Sequence, residues 1–169
     1  MKAIAIILGR GGSKGVPGKN TALIAGKPCV QWTIEAGKSA EHVAHVIVSS
    51  DDPAMLALAR AADAIAIMRP SELANDTARV DDAARHAIVE FEQTHAEVPG
   101  HSPIVILYAN VPVRPPDLID RAVHLLRKSG CDSVQSYAAV GKHHPWWTAK
   151  LDDAGKVSPW EGNVLNHGV

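Results

Sequence analysis

Chemistry concentrates first in Gly9–Asn20, GRGGSKGVPGKN, which follows the apolar run Ala3–Leu8. The stretch is rich in glycine, carries Arg10, Lys14 and Lys19, and contains no acid. Glycine lets backbone amides turn toward an anion without a Cβ in the way, and the three cations add charge. Such a loop suits phosphate groups. A basic surface turn is the plainer alternative, but a simple turn does not require so many glycines and cations together. Two known phosphate loops fail on particular residues. A Walker A loop ending at Gly18-Lys19 would need glycine at Ser13 and serine or threonine at Asn20. A dinucleotide fingerprint starting at Gly9 would need glycine at Lys14.

Other reactive residues are weaker candidates. Asp51 and Asp52 are neighbours at a strand end, where successive side chains point to opposite sides, so they pair poorly on one metal. His143 and His144 are adjacent in an extended segment and lack an evident third ligand. Cys29 and Cys131 lie far apart, without a CxxC spacing or a partner base, and read as core residues in a reducing compartment. Arg69 could be a surface partner of Glu72, and Asp76 a simple helix cap.

The elements that must hold the loop follow from periodicity. Ala3–Leu8, His45–Ser50, Ala64–Met68, Pro103–Tyr108 and Asp132–Ser136 read as strands, with Pro103–Tyr108 central. Helices are expected from Gly26-Lys27-Pro28, with Val30, Ile34 and Gly37 on one face, and from Asp51-Asp52-Pro53, with an aspartate cap. Two more are expected near Val80–His95, after a turn and cap at Asn75-Asp76-Thr77, and from Pro115-Pro116-Asp117 to Gly130. This alternation of βαβ units predicts an α/β fold with a mostly parallel, Rossmann-like sheet in a three-layer α/β/α arrangement. Ligands then bind beyond the C-terminal strand ends, so the glycine loop, Ser50-Asp51 and Asn110–Arg114 should line one edge.

At 169 residues and 46% hydrophobic composition, the chain is long enough for one domain with a real core. A net charge of −1 gives no general attraction for nucleic acid. Residues 1–34 nevertheless hold five cations and no acid, an anion-binding balance confined to one region. No apolar run reaches the roughly 18–20 residues of a membrane span, and the short N-terminal run leads into a charged loop rather than a cleavage site. The expected location is the cytoplasm. Beyond about position 138 the pattern changes to a hairpin around Asp152-Asp153-Ala154-Gly155, flanked by Trp146, Trp147 and Trp160. Its apolar face could be a satellite core or a subunit contact.

The longer string Ile6–Asn20, IILGRGGSKGVPGKN, resembles the N-terminal signature of the acylneuraminate cytidylyltransferases, the CMP-sialic acid synthetases. The likeness runs on through Val48-Ser49-Ser50-Asp51, Arg69–Ala78 (RPSELANDTA), Leu107–Arg114 (LYANVPVR), His143-His144-Pro145 and Asn166–Val169. It implies a fold of the nucleotide-diphospho-sugar transferase type and a reaction of CTP with a nonulosonic acid, giving CMP-sugar and pyrophosphate. By resemblance, Arg10, Gly11, Ser13, Lys14, Lys19 and Asn20 hold the CTP phosphates and ribose, and Arg69, Asp76, Thr77 and Ala78 border the nucleotide. Arg10 and Lys19 would act catalytically, by stabilising charge on the leaving pyrophosphate. Tyr108, Asn110 and Arg114 would face the sugar.

The chain departs from the family pattern in places. Gly9 stands where the family usually has alanine, Tyr108-Ala109-Asn110-Val111 replaces Gln-Pro-Thr-Ser, and Arg79-Val80 replaces serines. The last two changes fall in the substrate pocket, so the nucleotide half is better supported than sialic acid itself. The resemblance also implies Mg2+, with ligands expected beyond Val169, and a homodimer formed through residues about 138–165. Without those ligands, weak or no catalysis is expected of the 169 residues alone. Competing readings are a 3-deoxy-manno-octulosonate type of cytidylyltransferase and a nucleotide-binding homologue that has lost catalysis.

Overall fold

The computed structural model describes residues 2–12, 15–95, 102–139 and 148–160. Ala3–Leu8 forms the first strand, β1, with all six residues buried, as its lack of alternation predicts. A two-residue hairpin follows the glycine loop: Leu23–Ile24 (β2) pairs antiparallel with Lys27–Pro28 (β3). Its turn residues Ala25 and Gly26 both have positive φ (50° and 79°), as tight hairpin turns require. This places Gly26 and Lys27 in a turn and strand, whereas the sequence had suggested a helix start. The helix α1 begins one residue after Pro28 and spans Cys29–Ser39, burying Val30, Ile34 and Gly37 together as expected.

Val43–Ser50 (β4), Pro53–Ala61 (α2) and Ile65–Met68 (β5) complete the next unit. Asp52 caps α2 by accepting from the Ala54 amide at 2.9 Å, with Pro53 in the first turn. After a single 3-10 turn at Ser71–Leu73, the helix α3 covers Val80–Thr94 and leads to Ile104–Tyr108 (β6). The helix α4, Leu118–Ser129, closes on Gly130, whose φ of 67° suits the left-handed cap that glycine adopts without strain. The N-cap of α3 is Arg79 and receives no side-chain bond, so Asn75-Asp76-Thr77 supplies a turn but not the cap.

Four of the strands form one parallel sheet in the order β5-β4-β1-β6. The chain winds outward from β1 in one direction and then crosses to its other side, so the order reverses between β1 and β6. Side-chain alternation divides the core. Ala5, Ile7, Val46 and Val48 pack with α1 and α2, while Ile4, Ile6, Leu8 and Ile47 pack with Ala83, Ala84, Ala87 and Phe91 of α3.

Two strand expectations need correction. β6 lies at an end of the sheet among the described residues, not at its centre. Ile104, Ile106 and Tyr108 lie in register with Ile4, Ile6 and Leu8 on the α3 side, yet remain exposed, because α3 sits over β1 and β4. Asp132–Ser136 forms no strand, and Cys131, just past the Gly130 cap, is exposed rather than core.

The chain divides into two units, Met1–Val134 and Gln135–Val169. The second contains the expected hairpin, Ala149–Leu151 (β7) paired with Val157–Pro159 (β8). Asp152 tightens its turn by accepting from the amides of Ala154 and Lys156, at 3.0 and 2.8 Å. The stretches His143–Trp147 and Asn166–Val169 lie outside the described residues. No described helix is long and apolar enough to cross a membrane.

The α3 face depends on one large ring. Phe91→Ala is expected to lower stability by about 3–5 kcal/mol, read as a shifted urea midpoint with the slope unchanged.

Candidate functional site

The strand order reverses between β1 and β6, and the C-terminal ends of strands at such a reversal are where open parallel sheets hold ligands. A cavity of about 300 Å³ opens there. Arg10, Lys19 and Asn20 of the glycine loop line one side, and Tyr108 and Asn110 from the exit of β6 line another. Arg69, Asp76, Ala78 and Arg79 contribute from the segment that joins β5 to α3. Four cations thus face one cavity with a single carboxylate, Asp76, among its lining.

The glycine loop is held from three sides. Its start continues the ladder, with the Gly9 amide donating to the Ser49 carbonyl. The Gly11 amide donates to Asp51 Oδ1 at 3.0 Å, so Asp51 anchors the loop from the end of β4. Asn20 is buried and donates through Nδ2 to the Arg10 carbonyl at 2.9 Å, tying the two ends of the loop together. The Val30 amide at the start of α1 donates to the Asn20 carbonyl at 2.8 Å. Gly9 tolerates nothing larger than hydrogen as built. A Cβ there would lie 2.5 Å from Met55 Cε and 2.8 Å from Ala109 Cβ.

Arg10 pairs with Asp76 at 2.6 Å, so Asp76 holds a loop cation rather than capping a helix. Arg69 is 7% exposed. Its Nε donates to Ser49 Oγ at 3.1 Å and its Nη2 to the Ser49 carbonyl at 2.6 Å, in place of a surface pair with Glu72. Burial lowers the Arg69 pKa and the nearby Asp51 carboxylate raises it again. The guanidinium remains charged at neutral pH, since arginine starts far above it. Thr77 folds back on Asn75, whose Oδ1 accepts from both its amide and its hydroxyl at 2.9 and 2.8 Å.

Arg114 occupies a different position from Tyr108 and Asn110. It lines a second cavity, and its guanidinium donates to Thr33 Oγ1 at 2.9 Å and to the carbonyls of Val111 and Tyr108 at 2.5 and 2.9 Å. Ser13 and Lys14 lie outside the described residues. Asn75 and Arg79 line the cavity without having been singled out as ligands; Asn75 read as a turn, and Arg79 only as a departure from a pattern. Thr33 left no signal, because a threonine on an apolar helix face looks like core.

The described acids do not assemble a metal site. Asp51 accepts from Gly11, Asp52 caps α2 and Asp76 pairs with Arg10. Among the described residues no group of three histidine, cysteine, aspartate or glutamate side chains could hold a metal ion.

Comparisons with known proteins agree with this geometry. The chain is 35% identical over 143 residues to an N-acylneuraminate cytidylyltransferase A of Danio rerio, covering 85% of this chain and 31% of that protein. It is 30% identical over 158 residues to a CMP-N,N'-diacetyllegionaminic acid synthase of Legionella pneumophila, covering 93% and 66%. A solved CMP:2-keto-3-deoxy-manno-octonic acid synthetase in complex with CTP superposes with a TM-score of 0.60 at 26% identity, over 78% of this chain and 49% of that one. The chain therefore spans between about a third and two thirds of the length of these relatives.

The packing at Gly9 gives a direct test of the loop's seat. Gly9→Ala is expected to lower stability by about 1–3 kcal/mol in chemical denaturation, because the Ala109 methyl is fixed to the backbone and cannot yield. Ala109→Gly in the same background should recover part of the loss by removing that fixed methyl.

A family model described as Cytidylyltransferase matches residues 4–149, which takes in the sheet, the glycine loop and the cavity they form, and the chain belongs to that family.

Proposed function

We propose that this chain binds CTP at the crevice between β1 and β6 and serves a nucleotidyltransferase that couples it to a nonulosonic, sialic-acid-like sugar. The observation that carries the reading is the convergence of Arg10, Lys19 and Arg69 on one cavity at the mouth of a glycine loop. The reaction joins a sugar hydroxyl to the α-phosphorus of CTP and releases pyrophosphate, so negative charge grows on the leaving group. Cations fixed before the reaction stabilise that charge without reorganising. Arg10 and Lys19 take this role at the phosphates, with Gly11, Ser13, Lys14 and Asn20 completing the loop's grip. Arg69, Asp76, Thr77 and Ala78 border the nucleoside. Tyr108 and Asn110 form the wall that meets the sugar, and Arg114 stands behind it.

The names of the relatives support an acid sugar as the second substrate, since two of them are named for acylneuraminic and legionaminic acids. A 3-deoxy-manno-octulosonate type of substrate is the second reading, favoured by the CTP-bound synthetase that shares the fold. Magnesium belongs to the proposed reaction, but the described residues do not fit a site for it, and no step here is assigned to it. Self-association through residues about 138–165 is part of the same proposal. It draws support from Leu151, Val157 and Trp160, large apolar side chains that are each exposed on the hairpin unit.

Titration calorimetry with CTP, UTP and ATP tests the nucleotide reading. CTP is expected to bind most tightly, and Lys19→Ala should weaken it by at least about 1 kcal/mol, the scale of a charge-assisted contact. Equal affinity for the three nucleotides, or no effect of Lys19→Ala, would remove the assignment. Light scattering should find a dimer that Trp160→Asp shifts toward monomer; a monomer at every concentration would dismiss the hairpin interface.

A further inference from the structure

We propose that Arg114 and Thr33 form a positioning pair that sets the wall of the cavity from behind, rather than touching a substrate. The inference rests on the nucleotide reading of the cavity given above. As β6 leaves the sheet, the chain turns through Tyr108, Ala109, Asn110 and Val111, and its carbonyls leave the ladder, that of Tyr108 still accepting from the Val111 amide at 3.3 Å. Three of them are received by side chains. The Thr33 hydroxyl lies 3.3 Å from the Tyr108 carbonyl and 3.2 Å from that of Val111, and offers its one proton between them. Arg114 donates to the same two carbonyls and to the Thr33 oxygen. The Cys29 thiol, one helical turn before Thr33, points its proton at the Ala109 carbonyl, 3.4 Å away.

The pair is sheltered from any ligand in the cavity. Thr33 is fully buried, and Arg114 lines the second cavity rather than the one that holds Arg10, Lys19 and Arg69. What it holds in place does face that cavity, namely Tyr108 and Asn110. The same turn also supports the glycine loop. The Ala109 amide donates to the Leu8 carbonyl, and its methyl fills the space beside Gly9. Displacing the turn therefore displaces both the wall and the start of the phosphate loop. A lysine at position 114 keeps the charge but cannot fork between two carbonyls and a hydroxyl, which is a guanidinium property.

The test measures CTP binding by calorimetry and amide exchange by mass spectrometry in Arg114→Lys, Thr33→Val, Thr33→Ser and the double variant Arg114→Lys/Thr33→Val. Arg114→Lys and Thr33→Val are each expected to weaken CTP about five- to tenfold, and the double variant no more than about twofold beyond either. Thr33→Ser, which keeps the hydroxyl, should bind within about twofold of the parent chain. Exchange at the amides of Ala109 and Val111 should quicken in both single variants. Loss of affinity in Arg114→Lys with none in Thr33→Val would overturn the proposal in favour of direct contact, and additive losses would overturn it in favour of two separate roles. Should the parent chain bind no CTP, the nucleotide reading fails, while exchange at 109–113 still decides the pair: unchanged rates in both variants overturn it. If Thr33→Val does not fold, Arg114→Lys and Arg114→Gln carry the exchange measurement alone, with the same outcomes.

Discussion

A strand that runs past the edge of its sheet carries amides and carbonyls that no neighbour completes, and here that deficit occurs where a ligand would sit. Buried or half-buried backbone groups must be satisfied, because each one left alone costs about 1–3 kcal/mol. The first half of α1 meets much of this need. Its Cys29 and Val30 amides donate to the carbonyls of Ala22 and Asn20, just after and at the end of the glycine loop. Its Cys29 and Thr33 side chains receive carbonyls at the exit of β6. One short helix segment thereby fixes both lips of the crevice, and the sheet contributes the third side through Asp51 and Ser49.

That arrangement explains the electrostatics of the site. Arginine and lysine crowded around a cavity repel one another unless anions or fixed dipoles intervene. Arg69 is stabilised against Ser49 and near Asp51, Arg10 rests on Asp76 and Arg79 pairs with Asp81 at 3.6 Å, so three of the four cavity cations have defined partners without a ligand. Lys19 lines the same cavity from the loop. The basic balance visible in residues 1–34 is therefore joined in space by cations from a later segment, which composition along the chain cannot show.

Much of the fold was legible because its strands are continuous apolar runs and its helices carry strong boundary residues. Ala3–Leu8, the Asp52-Pro53 start of α2 and the Gly130 end of α4 are written in local chemistry. What escaped was relational. An apolar run such as Ile104–Tyr108 has the same composition in the middle of a sheet as at its end, so periodicity gave no warning of its exposed face. Asp132–Ser136 has strand-like residues but no partner strand to pair with among those described. In the site, Arg10 and Lys19 of the glycine loop could be read directly as neighbours of one cavity, and Tyr108 and Asn110 line it beside them. The orientation of Arg114 could not be read, since it depends on three acceptors that belong to a helix and a turn some eighty residues apart in the chain.

The contact of Gly9 with Met55 and Ala109 has a bearing on how such chains can diverge. These three positions share one small volume, drawn from the glycine loop, a helix and the β6 exit turn. A side chain gained at one must be matched by atoms lost at another, although the three positions lie far apart in sequence. Enlarging a single one of these residues in this background would upset a three-way fit. A chimera that moves all three together is expected to keep the volume constant and leave the glycine loop in its seat.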